Sequence, residues 1–203
     1  MDIVLASRNI KKIGEMETLL REHMSYIKVL SLDDINYQDE IEETGATFEE
    51  NALIKASLPA KLGYIGIADD SGLEVDILNG RPGINSSRYS GENASDNDNN
   101  DKLLLELLNI PVERRTSRFV CAIACVFPYL KNAYFTVRGT CEGYIIDNPR
   151  GSNGFGYDPL FLCKEYDQTF AELTDEQKNL ISHRGNAVQL FIQEFSKHIE
   201  VLK

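Results

Sequence analysis

The hydrophobic and polar positions at the start of the chain predict a strand, a helix and a second strand. Residues 1–7 form a short apolar run that is typical of a strand. Residues 9–24 carry apolar side chains at helical spacing, and residues 26–35 return to a strand-like pattern. The chain therefore opens as a strand–helix–strand unit.

A second helix and two short strands are predicted next. Thr47, with Glu50 three residues later, matches a capping box and predicts a helix over residues 48–63. Two acids, a serine and a glycine then interrupt an apolar pattern. This interruption predicts two short strands, over residues 64–71 and 73–78, joined by a turn.

The middle of the chain predicts a long loop followed by a helix and a hairpin. Residues 79–101 have no apolar period and are rich in asparagine and aspartate, so we expect a surface loop there. A helix is predicted over residues 100–110. Two long alternating segments, 117–127 and 133–146, predict the strands of a hairpin.

A helical region completes the chain. Thr174 and Gln177 form a second capping-box pattern, and we expect the helix that it opens to continue past Ser182 and His183 to the C-terminus. Together the elements predict an α/β fold with a mixed central sheet flanked by helices, in one domain over residues 1–203.

Composition narrows the function classes. The 203 residues carry a net charge of −11, which repels nucleic-acid backbones, so we expect no nucleic-acid partner. No apolar run approaches the roughly 20 residues of a membrane helix, and the N-terminus lacks a signal-peptide pattern. We therefore expect a cytoplasmic globule without a membrane partner. Without zinc-site spacing, the cysteines are expected to be buried thiols: Cys121, Cys125, Cys141 and Cys163.

Polar clusters fall where the predicted elements meet, which is where α/β folds place ligand sites. Ser7 and Asn9 stand at a helix start, where they either cap the helix or receive a phosphate oxygen. Lys12 lies in the first turn, where a cation opposes the helix dipole unless an anion is bound. Taken singly, Ser7 and Asn9 are more simply helix caps. The lysines, which include Lys55 and Lys178, are more simply solvated charges.

The segment GFGYDP carries a more informative pattern. Gly154 and Gly156 let the backbone approach a ligand closely, and Phe155 between them offers a flat face on which a planar base can stack. Asp158, ahead of Pro159, fixes a polar end. The alternative is an aromatic tight turn, and glycines in this pattern do not by themselves specify a nucleotide.

Five ordered motifs closely resemble the inosine/xanthosine triphosphate pyrophosphatase family, whose members remove deaminated purine nucleotides. The motifs are SRNIKKIGE, EETGATFEENALIKA, IADDSGLEVDILNGRPGINSSRYSG, GSNGFGYDPLF and ELTDEQKNLISHRGNA. The similarity runs from Ser7 to about Ala187. It implies two lobes with a cleft between them, and hydrolysis of ITP, dITP or XTP to the monophosphate and pyrophosphate, with Mg²⁺, in a homodimer.

The resemblance also implies a role for individual residues. Asp70 is implied as the base for the attacking water, and Glu42 and Asp70 as the ligands of the metal. The residues implied to hold the triphosphate are Ser7, Asn9, Lys12, Lys55 and Lys178. The other residues implied to bind the substrate, most of them around the base, are Ser71, Phe155, Gly156, Tyr157, Asp158, His183 and Arg184.

Physical chemistry agrees with these roles. In-line attack on a magnesium triphosphate needs a positioned water and cations on the transferring and leaving oxygens. Asp69 and Asp70 point to opposite faces if their segment is extended, and we choose Asp70 as the acid that faces the site because it adjoins the Ser71 turn. Arg184 is the candidate donor to the six-position carbonyl that distinguishes inosine and xanthosine from adenosine.

Three alternative functions remain open at this point. The chain could be a pyrophosphatase of modified pyrimidine or ordinary nucleoside triphosphates, because their phosphates would be handled in the same way. It could bind nucleotides without hydrolysing them, although Asp70 and Lys12, whose loss would favour that function, are both present. It could also be a metal-dependent phosphatase that releases orthophosphate. Neither the preference among ITP, dITP and XTP nor the dimer interface follows from the sequence.

Overall fold

The chain forms seven strands and five α-helices within residues 1–24, 26–128 and 133–201, which the computed structural model describes. The strands are β1 (Asp2–Leu5), β2 (Lys28–Ser31), β3 (Ile65–Val75), β4 (Thr116–Val126), β5 (Tyr134–Ile145), β6 (Phe161–Cys163) and β7 (Gln168–Thr169). The helices are α1 (Ile10–His23), α2 (Phe48–Lys61), α3 (Asp96–Glu106), α4 (Asp175–Ile181) and α5 (His183–Val201). Within the described residues, no helix is long and apolar enough to cross a bilayer.

The seven strands form one sheet in the order β2-β1-β3-β4-β5-β6-β7. β1 pairs in parallel with both β2 and β3, whereas β6 pairs antiparallel with β5 and β7. The sheet is therefore mixed, and the predicted α/β fold with a mixed sheet flanked by helices is confirmed.

The chain divides into two compact units. The first unit comprises Met1–Asp70, Cys121–Gly139 and Arg184–Lys203, and the second comprises Ser71–Val120 and Thr140–His183. Each unit has its own apolar core. The first core includes Ile3, Leu5, Met16, Leu20, Ile67, Phe191 and Phe195. The second includes Leu73, Leu103, Phe119, Phe161 and Phe170. All four cysteines are buried free thiols, as predicted.

Helix starts follow the capping residues in the sequence, with one exception. Thr47 Oγ1 accepts the Glu50 N–H at 3.1 Å, as predicted for the start of α2. The Glu50 carboxylate, however, accepts from the N–H of Ala46, so the second half of the predicted box does not form. At α4 the box is complete, because Thr174 and Gln177 each accept from the backbone N–H of the other.

The predicted turn at residues 71–72 is wrong, because β3 runs without interruption over Ile65–Val75. The acids within it are buried, and both have cationic partners that the strand alone does not reveal. Beyond them the Leu73 N–H donates to Ser86 Oγ at 2.9 Å, so the second half of the strand is also held. Polar residues that favour turns locally are thus extended here by contacts with distant parts of the chain.

The Asn/Asp-rich part of the predicted loop is largely helical, since α3 begins at Asp96. Ser95 caps it, and the hydroxyl of Ser95 and the carboxylate of Asp98 complete a capping box. Acids in the first turn also favour a helix start electrostatically. Asn99 and Asn100 are buried, so these asparagines pack inside the second unit instead of forming a solvated loop.

The predicted continuous C-terminal helix is also wrong. Ser182 has extended backbone angles, φ −72° and ψ 159°, and separates α4 from α5. Its N–H donates to the Lys178 carbonyl and closes α4. Directly after the break, the His183 ring stacks on Phe119, with centroids 4.8 Å apart, which is a contact with a distant part of the chain.

Candidate active site

Asp70 lies in β3 of the first unit, and α2 supplies partners for both of its carboxylate oxygens. Lys55 Nζ lies 3.1 Å from Oδ1, and Asn51 Nδ2 donates to Oδ2 at 3.2 Å. Asn51 and Lys55 are one turn apart on α2, so both face β3. The close approach requires Gly66, because a Cβ there would lie 2.0 Å from the carbonyl oxygen of Ala56.

The segment before α2 reinforces this arrangement. Glu43 Oε1 accepts from Lys55 Nζ at 2.8 Å, and the Gly45 N–H donates to Asn51 Oδ1 at 2.8 Å. Glu42, which the resemblance implied as a metal ligand, is exposed, and we find no ion pair or hydrogen bond of its side chain within the described residues. The structure therefore gives Glu43, and not Glu42, a direct contact with the residues around Asp70.

Asp69 gathers a second set of partners. Lys12 Nζ lies 3.4 Å and Arg184 Nη2 lies 3.3 Å from Asp69 Oδ2. The guanidinium of Arg184 also donates to Glu15 of α1. Asp69 is 3% exposed and Arg184 2% exposed, so the pair is shielded from water. Asp69 also explains the lysine in the first turn of α1, whose charge it balances.

Ser7 and Asn9 lie just before α1. Asn9 Oδ1 accepts the N–H of Lys12 at 3.2 Å, which confirms the capping interpretation of this asparagine. Ser7 Oγ in turn accepts the Asn9 N–H at 3.3 Å. Both side chains thus shape the start of α1, where backbone N–H groups and the helix dipole favour an anion.

Burial and neighbouring charges set the proton affinities of the central pair. Burial raises the pKa of Asp70, and the opposing effects of Lys55 and Lys12 do not fully offset it. Burial lowers the pKa of Lys55, but the carboxylates of Asp70, Asp69 and Glu43 outweigh it, so the net shift is upward. Asp70 therefore holds a proton more readily than an exposed aspartate does, which suits a carboxylate that must accept one.

The carboxylates around Asp70 suit a hard divalent cation only if a bound ligand supplies further oxygen atoms. Within the described residues there is no group of three or more histidine, cysteine, aspartate or glutamate side chains that could hold a metal ion. Magnesium, however, commonly binds one or two carboxylates and completes its shell with water and substrate phosphates. The Asp70 carboxylate fits an ion that is shared with a phosphate chain.

In the second unit, Asp158 organises the glycine-rich turn. Its Oδ2 accepts from the Phe155 N–H at 2.9 Å and from Lys178 Nζ at 2.8 Å. Lys178 Nζ also lies 5.1 Å from the centroid of the Phe155 ring. Gly154 has φ +74°, and a Cβ there would lie 2.0 Å from Asp158 Oδ2, so this glycine allows the backbone to approach the Asp158 carboxylate. The predicted approach of the backbone to a ligand stays a prediction.

Other residues expected to bind substrate belong to the packed interior of the second unit. The Tyr157 hydroxyl donates to the Ser86 carbonyl at 2.8 Å. The His183 ring is 5% exposed and stacks on Phe119. Ser71, the first residue of this unit, is half-buried in β3. Tyr157 and His183 thus have structural contacts in addition to any role in binding.

The structure adds three residues that the sequence analysis did not single out. In the first unit these are Asn51, Glu43 and Glu15, which contact Asp70, Lys55 and Arg184 respectively. Asn51 stands one turn before Lys55 on the same helix face, which is a signal that the sequence carries. The partners of Arg184 have no such signal, because Glu15 lies 169 residues away.

Known proteins resemble this chain along almost its whole length. The sequence model of the Ham1 family matches residues 3–194. The chain is 51% identical over 189 residues to a dITP/XTP pyrophosphatase of Geobacter sulfurreducens, covering 93% of both proteins. It is 49% identical over 188 residues to a dITP/XTP pyrophosphatase of Bacillus cereus, covering 92% of this chain and 91% of that one.

Two solved structures extend the similarity to the fold. The Ham1 protein of Staphylococcus aureus matches with a TM-score of 0.87 and 43% identity, covering 98% of this chain and 100% of that one. The nucleoside-triphosphatase / dITP/XTP pyrophosphatase of Mycobacterium abscessus matches with a TM-score of 0.77 and 45% identity, covering 94% and 98%.

Proposed function

The chain belongs to the Ham1 family, and from this premise we propose that it hydrolyses the deaminated purine nucleoside triphosphates ITP, dITP and XTP to the monophosphate and pyrophosphate. The observation that carries the proposal is the buried carboxylate of Asp70 beside Lys55, in a relative of dITP/XTP pyrophosphatases. Such a carboxylate can activate water while neighbouring cations stabilise a phosphate chain.

We propose that Asp70 accepts a proton from the attacking water. Its raised pKa supports this role, because a base works best when its proton affinity approaches that required at the operating pH. Asn51 donates to one carboxylate oxygen and Lys55 lies beside the other, so the carboxylate is held in one orientation. A fixed orientation lowers the entropic cost of placing the water for in-line attack.

We propose that lysine side chains bind the triphosphate. Lys12 faces Asp69, and Lys55 faces Asp70 and Glu43, so each ammonium is held in place by a carboxylate. Ammonium groups held in this way are preorganised to stabilise the charge of a phosphate chain. The residues proposed for the triphosphate are Ser7, Asn9, Lys12, Lys55 and Lys178.

We propose magnesium as the cofactor, with Asp70 and Glu42 as its ligands. When bound, it would offset the charge of the phosphate chain and lower the pKa of a coordinated water. Of the two ligands, Asp70 is supported by its burial and contacts, whereas Glu42 rests on the family resemblance. Glu43 holds the ammonium of Lys55 near Asp70.

Recognition of the base is proposed for the second unit, where Phe155 offers a ring face and Lys178 with Asp158 fixes the turn. The residues proposed here are Ser71, Phe155, Gly156, Tyr157, Asp158 and His183. Arg184 remains our candidate donor to the six-position carbonyl. Its contacts in the first unit support a further role, which is to hold Asp69.

A panel of triphosphates tests the proposed substrate class. With magnesium present, we expect kcat/KM for ITP and XTP to exceed that for ATP and GTP by about 100-fold or more. Adenine presents an amino group where the site offers a donor for the six-position carbonyl, and guanine carries a two-position amino group that a pocket without an acceptor leaves unpaired. Release of the monophosphate is followed by chromatography. Equal rates with ITP and ATP would contradict the proposed base selection.

We further propose that the protein acts as a homodimer in the cytoplasm, without a nucleic-acid or membrane partner. The net charge of −11 supports the absence of a nucleic-acid partner, and the homodimer rests on the family resemblance.

A further inference from the structure

The N-terminal half of α3 contacts the glycine-rich turn of the second unit. Asp96 Oδ2 accepts the N–H of Gly156 at 2.8 Å, and Asn100 Nδ2 donates to the carbonyl oxygen of Gly156 at 3.0 Å. Both backbone polar groups of one glycine are therefore held by two side chains from one helix. Asp96 and Asn100 are four residues apart, so they lie on the same face of α3.

Gly156 needs such support, because its φ is +61° and glycine has the greatest backbone freedom of any residue. The preceding peptide is anchored separately, since the Phe155 N–H donates to Asp158. The turn is thus held at Phe155 by Asp158 and at Gly156 by α3. Together these bonds fix the backbone from which the Phe155 ring projects.

The helix that provides this support is itself well fixed. Its first turn is closed by the Ser95 and Asp98 capping box. Asn99 accepts the Ser90 N–H at 2.7 Å and donates to the Ser87 carbonyl at 3.0 Å, so α3 is tied to the preceding segment. Asn100 is 9% exposed, and within the described residues its Oδ1 has no hydrogen-bond partner. Burying an amide with an unpaired oxygen costs stability. The hydrogen bond to Gly156 is therefore what this side chain provides at its buried position.

We propose that Asp96 and Asn100 are positioning residues that hold Gly156, and through it Phe155, in the conformation that receives the purine base. The inference rests on the proposed function and extends it to the Asn/Asp-rich segment, which that function leaves unexplained. The two side chains contact Gly156 and leave the bond of Lys178 to Asp158 in place, so we expect them to govern binding of the base more than binding of the phosphate chain.

Two ligands separate these effects: IMP, which contains the base, and inorganic tripolyphosphate, which does not. We expect Asn100→Ala to raise the dissociation constant of IMP about tenfold, the effect of one lost hydrogen bond, and to change that of tripolyphosphate by less than about twofold. Both constants are measured by isothermal titration calorimetry with magnesium. Asn97→Ala is the matched control, because Asn97 is an exposed asparagine in the same helix.

Asp96 provides a second, independent variant pair. Asp96→Ala removes the acceptor for the Gly156 N–H and should weaken IMP binding, whereas Asp96→Asn keeps an acceptor oxygen and should restore most of the affinity. A purely structural role would lower the melting temperature of both Asp96 variants without separating IMP from tripolyphosphate. If Asn100→Ala does not fold, the Asp96 pair decides.

The outcomes distinguish this inference from the proposed function. Unchanged IMP affinity in folded Asn100→Ala and Asp96→Ala, or equal weakening of both ligands, would overturn the positioning role while ITP hydrolysis by the wild type stands. Failure of the wild type both to bind IMP and to hydrolyse ITP would overturn the proposed function, and this inference with it.

Discussion

Replacing Asp70 with asparagine is expected to lower kcat for ITP by about 10³-fold or more, because general-base catalysis alone contributes about 10²- to 10⁴-fold and the same carboxylate is proposed to hold the metal. The fold should survive. Asparagine has nearly the same shape, Lys55 keeps its contact with Glu43 at 2.8 Å, and an amide oxygen can still accept from Asn51. Initial rates at saturating ITP and magnesium measure the loss, and circular dichroism verifies the fold.

Asp76→Asn is the control for this experiment. Asp76 follows the end of β3 and forms a surface ion pair with Arg118 at 3.0 Å, with its side chain 44% exposed. Neutralising it should leave kcat within about twofold, since exposed ion pairs contribute little. A folded Asp70→Asn variant with wild-type kcat would refute the roles of Asp70 as base and metal ligand.

Arg184→Met should destabilise the protein by about 3–5 kcal/mol, because it leaves Asp69 and Glu15 without the guanidinium that joins them. Asp69 is 3% exposed, so its carboxylate, left with Lys12 Nζ at 3.4 Å, would stay poorly solvated. For a chain of this length the melting temperature should fall by about 6–20 °C. Thermal unfolding followed by circular dichroism measures it.

Two further variants make the Arg184 result interpretable. Arg21→Met removes an exposed pair with Glu17, in which the arginine side chain is 68% exposed, and should change stability by less than about 0.5 kcal/mol. The double variant Asp69→Asn/Arg184→Met also removes the buried carboxylate charge that has lost the guanidinium, and should recover part of the loss. Arg184→Met that is as stable as Arg21→Met would show that the buried pair has no structural role.

Elements that depend on local signals were predictable from the sequence. The helical spacing over residues 9–24 corresponds to α1, and Thr47 caps α2 where its hydroxyl predicts. The long alternating segments correspond to β4 and β5. In each case the side chains that stabilise the element are close in sequence, or the apolar period alone identifies its buried face.

The errors arose where distant contacts override local preference. Asp69 and Asp70 continue β3 because their partners come from other elements, among them Arg184, 115 residues from Asp69. Asp96 lies in a helix where a loop was predicted, and its carboxylate accepts from Gly156, which lies 60 residues further on. Ser182 interrupts the predicted C-terminal helix although the residues beside it in the sequence include no proline that would predict a break.

The sequence predicted which residues belong to the candidate site better than it predicted which of them contact each other. Asp70 and Lys55 were expected to act near one another, and the structure places them in contact. Lys12 was expected to need an anion, and its partner is Asp69, a carboxylate within the chain. Which acid faces which cation depends on the packing of α1, α2 and α5 around β3, and sequence spacing carries no information about that packing.

The identity of the phosphate product tests the central claim most directly. ITP is incubated with the wild-type protein and magnesium, and the products are separated by anion-exchange chromatography. We predict inosine monophosphate and pyrophosphate in equal amounts from the first turnovers. Inosine diphosphate with orthophosphate would contradict the proposed cleavage and favour a phosphatase instead.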